Sequence, residues 1–499
     1  MANEHTQSVA RRFAQSIGVL GGLIVLTGTA RCGSSGPKRS PSATTLRIGV
    51  GDLPQSAPLA GLRQVVGSLS LEALIVPYDE GRLRPWLAEG WTTAPDGLSV
   101  TVRLRPQAKF HDGTPVTAFV VAQALQKDLP GLMGPAFDDV DHIVAVDGSQ
   151  VRVDLRRPSR FLVEALETPI RKQVTDGVVG TGPYIASAAG TPAELRANAD
   201  YYLGPPAIDR VTITSYPSVR TAWAELLRGN LDMLHEVNID ALDSLRASTN
   251  VAVFSYIRHY QYMIVFGSRA PNLQSAEVRR ELNAAIDREA VVREALNGHG
   301  IPSTGPVPPQ HWALDKAAPK LVSQQALARN LASRHLRFTC LVPADSVYER
   351  VALVIKQQLA AASVEMRVEE ATQDQVIQAA TSNNFEAILG DIVSGPSVFR
   401  SYRHWYSKAP SIPKPIGSPL IDAALDRIRR ATSDDDYRSG VTAFQQAIVD
   451  DPPALFLAWG ERARAVSRRF DVPAPEDGRD VLSTLRLWRP AAQQGASRN

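Results

Sequence analysis

The chain has 499 residues, 44% of them apolar and 21% charged, which is the composition of a folded protein and excludes a largely disordered one. Its 54 Lys and Arg residues against 51 Asp and Glu residues leave a formal net charge of +3, too small for a sequence-independent grip on a phosphate backbone. We therefore expect no nucleic-acid partner, and enough chain for two or three domains.

The first thirty residues have the pattern of an export signal. Arg11 and Arg12 precede an apolar run over residues 17–26, and small residues follow as far as Ala30. The run is shorter than the about 20 apolar residues that span a bilayer, which argues against a membrane anchor. We predict an export signal over residues 1–30 and a flexible tether rich in Gly, Ser and Pro over residues 31–45.

The processing of this signal has more than one solution. Lipid attachment at Cys32 is favoured by Thr29 and Ala30, but Arg31 stands where a lipoprotein signal has a small residue. Ordinary cleavage after Ala30 fits the same segment, and the paired arginines leave both general and twin-arginine export open. The second cysteine, Cys340, lies in the apolar stretch "LRFTCLVP" and is predicted to be a buried, inert thiol.

The first regular element is a strand, "TLRIGVG", over residues 45–51. The next region has a different sequence pattern. Apolar and polar residues alternate in "GLSVTVRLRP" (97–106) and in "GSQVRVDLRRPSRFLVEAL" (148–166). Turns at Asp96-Gly97 and Asp147-Gly148 precede them. This pattern predicts antiparallel strands with one face in water, in a small domain inserted into the first lobe.

Two later regions alternate strand and helix. The first reads as a strand (210–218), a helix (219–230) and a strand (231–237), and the second as strand, helix, strand, helix, strand over residues 336–393, with Thr372 capping the second helix. Such alternation predicts a largely parallel sheet covered on both faces. Two α/β lobes follow, and a ligand is expected in the crevice between them.

The usual signatures of catalysis are missing from the sequence. It has no HExxH, no metal-like Cys/His cluster, no G-x-S-x-G centred on Ser, no P-loop and no G-x-G-x-x-G. His111 and Asp112 stand side by side, but adjacent residues of an extended segment point to opposite sides, and Asp112-Gly113-Thr114-Pro115 has the composition of a turn. We expect a turn followed by a helix capped by Thr117, and a protein that is not an enzyme and holds no metal or cofactor.

Residues 85–125, "PWLAEGWTTAPDGLSVTVRLRPQAKFHDGTPVTAFVVAQAL", resemble the signature of family 5 extracellular solute-binding proteins, the dipeptide, oligopeptide and nickel receptors of ABC importers. The resemblance continues in the family's order through "GTGPYIAS" (180–187), "NADYYLGPPAIDRVTI" (198–213), "AWAELLRGNLDML" (222–234) and "VRRELNAAIDREAVVREALNGHGIPSTGPVPP" (278–309). It covers residues 46–488, almost all of the chain outside the signal and tether.

The resemblance implies a two-lobed α/β periplasmic-binding-protein fold of type II, similar to cluster C, with a small inserted α+β domain. On that basis we assign lobe I to residues 46–68, 172–260 and 478–490, the small domain II to 69–171, and lobe III to 261–477.

The resemblance also implies a site. Peptide-binding members use an aspartate after a third-lobe strand to bind the ligand's α-amino group, and the matching stretch here is "AILGDIVSGPSVFRSY" (387–402), with Gly390 and Asp391 in place. Ile388 replaces the family's Trp, and one extra residue separates Asp391 from Pro396. Further candidates for ligand contact, chosen by position and chemistry, are Tyr260, Tyr262, Arg400, Tyr402, Arg403 and Trp405.

The expected function is capture without bond making. A monomeric receptor closes its lobes on a di- or oligopeptide and delivers it to a membrane permease driven by ATPases, as the resemblance implies. Two alternatives stay open: a receptor for a non-peptide solute such as a nickel chelate or haem on the same fold, and an exported hydrolase, for which no catalytic set is found.

Overall fold

The computed structural model describes residues 44–51, 59–175, 177–187, 192–475 and 480–491. The predicted export signal, nearly all of the tether and Cys32 lie outside the described residues.

Eleven strands within the described ranges form one mixed sheet that continues through both lobes. Its order is β12 (Tyr184–Ala186), β13 (Ala193–Ala197), β14 (Arg210–Tyr216), β1 (Thr45–Gly51), β15 (Met233–Leu234), β21 (Ala454–Ser467), β16 (Val251–Phe266), β20 (Ala387–Val393), β18 (Arg337–Pro343) and β19 (Glu365–Ala371), with β17 (Gly300–Pro302) paired to β21.

The first-lobe part of this sheet confirms the predicted β-α-β unit. Strand β1 runs parallel to both β14 and β15, and helix α4 (Val219–Leu227) connects those two strands. Ser218 caps α4, and Gly229 turns the chain with φ +76° after the helix ends. Leu46 and Ile48 of β1 are fully buried, because helices α1 (Ala60–Ser70) and α4 pack near this strand.

The third-lobe part confirms the second predicted alternation. Strands β19 and β20 both run parallel to β18, and helices α9 (Ser346–Ala361) and α10 (Gln373–Ser382) connect them in turn. Thr372 and Gln375 form a reciprocal capping box at the start of α10. Cys340 of β18 is fully buried, as predicted, and burial raises the pKa of its thiol to about 12.

The centre of the sheet corrects the expectation of a largely parallel arrangement. Strand β16 has 16 residues and β21 has 14, and they pair antiparallel to each other, while β20 pairs antiparallel to β16. A register shift between Ile257 and Gln261 interrupts the pairing of the two long strands. The two long strands therefore connect the first-lobe part of the sheet with the third-lobe part, and we call β16 and β21 the hinge strands.

The predicted small domain contains an antiparallel sheet in the order β5 (Ala88–Thr93), β6 (Ser99–Leu104), β8 (Gln150–Leu155) and β7 (Val140–Ala145), packed on helix α2 (Ala118–Met133). Its antiparallel character confirms the prediction from alternation. One part of the second alternating stretch differs, since α3 (Arg160–Ala165) is a helix. Most of its residues are buried, so alternation gives no reliable signal there.

The remaining elements are short strands or helices that cover these sheets: β2 (Glu72–Ala73), β3 (Ile75–Pro77), β4 (Leu83–Pro85), β9 (Pro169–Ile170), β10 (Lys172–Val174), β11 (Gly177–Val179), β22 (Phe470–Asp471), β23 (Arg489–Pro490), α5 (Ile239–Arg246), α6 (Ala276–Ala284), α7 (Arg288–Ala290), α8 (Gln325–Ala328), α11 (Val398–Trp405), α12 (Pro419–Arg429) and α13 (Asp434–Asp450). Over the ranges that the structure covers, no helix combines the length and apolar character needed to cross a membrane.

The His111-Asp112 pair is a structural turn, as predicted. Asp112 accepts hydrogen bonds from the Thr114 N–H at 3.0 Å and its hydroxyl at 2.6 Å, and it pairs with Lys172 at 2.7 Å. His111 contacts the Gly182 carbonyl through Nε2 at 2.9 Å. Thr117 then caps α2, so the pair closes a strand region and starts a helix.

Candidate ligand-binding site

Asp391 and Tyr262 face each other across the boundary between the third lobe and the hinge. They are register partners in the pairing of β20 with β16, and Gly390 pairs with the next residue, Met263. The Asp391 side chain is only 3% exposed. A Cβ placed on Gly390 would meet nothing within 4 Å, so there is open space on the face of β20 opposite the one that carries the Asp391 side chain.

Asp391 belongs to a chain of buried charges that crosses the hinge. Arg462 of β21 donates to Asp391 at 2.6 Å, and its Nε lies 3.5 Å from the Glu236 carboxylate. Arg464, two residues along the same strand, contacts Glu236 at 2.9 Å and Asp480 at 2.6 Å. These five residues, here called the hinge network, carry three carboxylates and two guanidiniums.

The electrostatics of the network follow from its burial. Burial alone lowers the pKa of Arg462, but Tyr262, Glu236 and Asp391 together raise it well above the ordinary arginine value. Burial raises the pKa of Tyr262 to about 12, so its hydroxyl stays protonated at neutral pH and can donate a hydrogen bond. The Arg462 guanidinium therefore keeps its positive charge, and the Tyr262 hydroxyl stays neutral, through modest changes of pH.

Two aromatic rings stand beside Asp391 and Arg462. The Arg462 guanidinium carbon lies 5.8 Å from the centre of the Tyr262 ring, and Tyr348 of α9 packs against Tyr262 at 5.6 Å. Tyr260 is half-buried two residues before Tyr262 and pairs with Val393. The structure thus groups Tyr260, Tyr262, Gly390 and Asp391 in one short stretch of paired backbone.

The candidates on α11 occupy different environments. Tyr402 and Trp405 are buried in the core, where Tyr402 stacks on Tyr406 at 4.5 Å and Trp405 meets Phe456 edge-on at 5.4 Å. Both rings are enclosed by protein side chains in this structure, and their contact with a ligand stays a prediction.

The two α11 arginines also differ from each other. Arg400 pairs with Glu167 of the small domain at 2.7 Å, so its guanidinium joins two domains. Arg403 is exposed, and among the α11 candidates its guanidinium is the one that solvent reaches most readily. A ligand carboxylate is more easily accepted by Arg403 than by Arg400, whose charge is already partly compensated.

Sequence reasoning missed Arg462, Tyr348 and Glu236. A usable signal exists for Arg462, because "ALFLAWGERARAV" (454–466) places arginines at alternate positions of an otherwise apolar strand, and buried arginines need carboxylate partners. Within the described ranges, no group of three or more His, Cys, Asp or Glu residues is arranged to hold a metal ion.

Two α/β lobes, joined by long strands that carry a buried charged site, have the architecture of a ligand-capture protein. Residues 82–412 match the family described as bacterial extracellular solute-binding proteins, family 5 (middle region). The chain belongs to the family 5 bacterial extracellular solute-binding proteins, which are receptors.

Individual relatives agree with this assignment. The probable D,D-dipeptide-binding periplasmic protein DdpA of Escherichia coli K12 is 24% identical over 405 residues, covering 74% of this chain and 78% of the relative. The crystal structure of NikZ from Campylobacter jejuni with Ni(L-His) superposes with a TM-score of 0.77 at 19% identity, covering 89% of this chain and 99% of NikZ. The structure of AppA from Bacillus subtilis with a nonapeptide superposes with a TM-score of 0.74 at 19% identity, covering 90% of this chain and 100% of AppA. The similarity confirms the two-lobed fold.

Proposed function

We propose that this protein captures di- or oligopeptides between its two lobes and delivers them to an ABC permease. The observation that carries the proposal is the buried Asp391 carboxylate, which lies opposite Tyr262 of the long strand β16 and pairs with Arg462. The relatives support a peptide ligand, because DdpA is described as dipeptide-binding and AppA holds a nonapeptide.

The ligand's α-ammonium group fits the charge of the hinge network. With every member in its ordinary ionised state, Asp391, Glu236 and Asp480 carry three negative charges against the two positive charges of Arg462 and Arg464. An ammonium group that binds Asp391 therefore shares this carboxylate with Arg462 and brings the network to neutrality. Charge-assisted hydrogen bonds in such a site are stronger than those between neutral groups.

The rest of a peptide would be held mainly through its backbone. Peptide main chains bind as added strands in many receptors, which gives affinity with little selectivity for side chains. Tyr260 and Tyr262 lie on the neighbouring strand, and Arg403 is the group we assign to a carboxylate on the ligand. Arg400, Tyr402 and Trp405 support this region by packing and by the Arg400 ion pair with Glu167.

The location follows from the family and from the signal. Family 5 proteins are extracellular solute-binding proteins. We propose that this chain is exported, works as a monomer outside the cytoplasmic membrane, and is tethered there by lipid at Cys32. Incorporation of labelled palmitate into the wild type but not into Cys32→Ala tests the tether, and equal labelling of both proteins contradicts it.

The test of peptide capture is calorimetric titration with trialanine and with N-acetyl-trialanine, which lacks the ammonium charge. Asp391→Asn should weaken trialanine binding by about 2–5 kcal/mol and leave the acetylated peptide, already a poor ligand, unchanged. Asp374→Asn, an exposed substitution in the same lobe, is the matched control and should bind as the wild type does. Equal trialanine affinity in the wild type and Asp391→Asn refutes the assignment.

A nickel chelate is the second candidate, because NikZ carries Ni(L-His) on the same fold. A chelate supplies its own nitrogen and oxygen ligands, so it does not require the three-residue metal cluster that is missing from the described part of the chain. Titration with Ni(II) and L-histidine together, and mass spectrometry of molecules released on denaturation, separate the two candidates. Saturable nickel–histidine binding without peptide binding would favour the chelate.

A further inference from the structure

A cavity of about 410 Å³ lies between the small domain and the third-lobe helices, away from Asp391, which does not line it. Strands β5 and β6, the start of α3 and the turn before α13 contribute its walls. Its volume is within the range of pockets that hold small organic ligands. We call this cavity the interdomain pocket.

Aromatic and aliphatic side chains form part of the walls of the interdomain pocket. Trp91, Trp312 and Tyr437 line it together with Leu83 and Val163. The Trp312 and Tyr437 rings stack at 5.1 Å with an angle of 23° between their planes. A flat apolar group inside the pocket would therefore meet aromatic surface.

Positive charge stands at the opening. Arg82 and Arg160 both line the pocket and share one carboxylate, that of Asp434, at 3.1 Å and 2.6 Å. The Arg82 and Asp434 side chains are 46% and 39% exposed, so this trio faces solvent. Two guanidiniums against one carboxylate leave one excess positive charge, and Arg82 also lies over the Trp312 ring at 4.2 Å.

A buried hydroxyl inside the pocket has no partner in the described part of the chain. Ser159 lines the pocket, is only 6% exposed, and its Oγ makes no hydrogen bond to any described residue. It precedes α3 but does not cap that helix with its side chain. A buried hydroxyl without a partner is destabilising, so a ligand oxygen that hydrogen-bonds Ser159 would offset this cost.

We propose that the interdomain pocket binds a small aromatic monocarboxylate, with the ring against Trp91 and Trp312 and the carboxylate between Ser159 and the guanidiniums of Arg82 and Arg160. The two guanidiniums outnumber the Asp434 carboxylate, which favours an anion, and the indole rings of the wall favour a flat ring. The pocket is separate from the hinge network, so its ligand does not depend on the proposed peptide function.

The Glu164 carboxyl at the inner wall is compatible with an anion. It accepts hydrogen bonds from the Tyr437 hydroxyl at 2.9 Å and from the Phe399 N–H at 3.0 Å. Burial raises the pKa of Glu164 to about 7, which reduces its repulsion of a bound carboxylate at mildly acidic pH.

The probe is indole-3-acetate, titrated into the full chain by calorimetry, with indole-3-ethanol as the uncharged analogue. We expect saturable one-to-one binding of indole-3-acetate and at least tenfold weaker binding of the alcohol. Ser159→Ala should weaken the carboxylate about five- to tenfold without lowering the melting temperature, because the lost hydroxyl has no described protein partner. No saturable binding at millimolar probe, or equal affinities for acid and alcohol, overturns the proposal.

A matched pair of substitutions tests the location. Thr93 and Thr92 are neighbouring exposed residues of β5, and only Thr93 lines the pocket. Thr93→Trp should abolish indole-3-acetate binding by filling the opening, whereas Thr92→Trp should bind as the wild type does. Loss of binding in both variants, or in Asp391→Asn instead, places the probe elsewhere and refutes the assignment. Should Thr93→Trp fail to fold, the Ser159→Ala and analogue comparisons still decide the matter.

Discussion

Replacing Arg462 with methionine tests whether the hinge network holds the lobes' connecting strands together. Methionine keeps most of the side chain's length and apolar stem but removes the guanidinium that lies 2.6 Å from Asp391 and 3.5 Å from Glu236. Glu236 keeps its contact with Arg464 at 2.9 Å, so the main change is the loss of positive charge beside Asp391.

The expected cost follows from burial. The Arg462 and Asp391 side chains are 10% and 3% exposed, so water cannot replace the lost partner as it does at a surface. Removing one member of a buried pair costs about 3–5 kcal/mol. We expect about 3 kcal/mol, the lower end, since Tyr262 and Tyr348 keep polar groups close to the carboxylate.

Urea unfolding of the wild type, Arg462→Met, Asp391→Asn and the double variant gives a complete double-mutant cycle. The double variant should be more stable than Arg462→Met, with a coupling energy of about 2–3 kcal/mol between the two positions. Arg103→Met is the control, because Arg103 and Glu89 are exposed and 3.9 Å apart, and it should change stability by less than about 1 kcal/mol. A coupling energy below about 0.5 kcal/mol refutes the reasoning.

Three further substitutions have defined outcomes. Glu164→Gln should flatten the pH dependence of stability. The folded-state pKa of Glu164 is raised from 4.5 to about 7, so the wild type loses up to about 3 kcal/mol of folding stability as pH rises between those values. Melting temperatures from pH 5 to 8 should show this slope only with Glu164 present. Gly180→Ala should lower the free energy of unfolding in urea by about 1–3 kcal/mol or more, because the added Cβ would lie 2.0 Å from the Ser70 carbonyl oxygen. Gly148→Ala is the control and should be near neutral, because its Cβ would meet nothing within 4 Å. Thr372→Ala should lose the capping box of α10 and about 1 kcal/mol by the same assay, and an unchanged midpoint contradicts that role.

Local sequence patterns predicted the outer parts of the fold, because the structure of those parts is determined by residues that are close in sequence. The strand-helix alternation over residues 336–393 needs only periodicity and caps such as Thr372, and the structure reproduces it. The hinge strands could not be predicted as partners, because β16 and β21 are separated by about two hundred residues and antiparallel pairing over that distance leaves no local signal. The expectation of a largely parallel sheet failed for that reason.

The residues of the candidate site likewise include some that the sequence could identify and some that it could not. Asp391 was identified by resemblance, and its position opposite Tyr262 fits a role at the hinge. Arg462 was missed because its importance depends on which strand lies beside β21. Tyr402 and Trp405 were chosen by position and chemistry, and neither reveals whether an aromatic ring faces a cleft or the core.

The hinge network also connects ligand binding with the geometry of the hinge. Arg462 contacts Asp391 on β20, and Arg464 of the same strand contacts Glu236 and Asp480, so one strand carries charges that face both sides of the hinge. An ammonium group bound at Asp391 would weaken the attraction between that carboxylate and Arg462. The contact of Arg462 with Glu236 would then be the stronger of its two ion pairs. A ligand shifts a conformational equilibrium only through different interactions in the two states. In the binding mode that we propose, this exchange would give a peptide a direct energetic effect on the hinge strands.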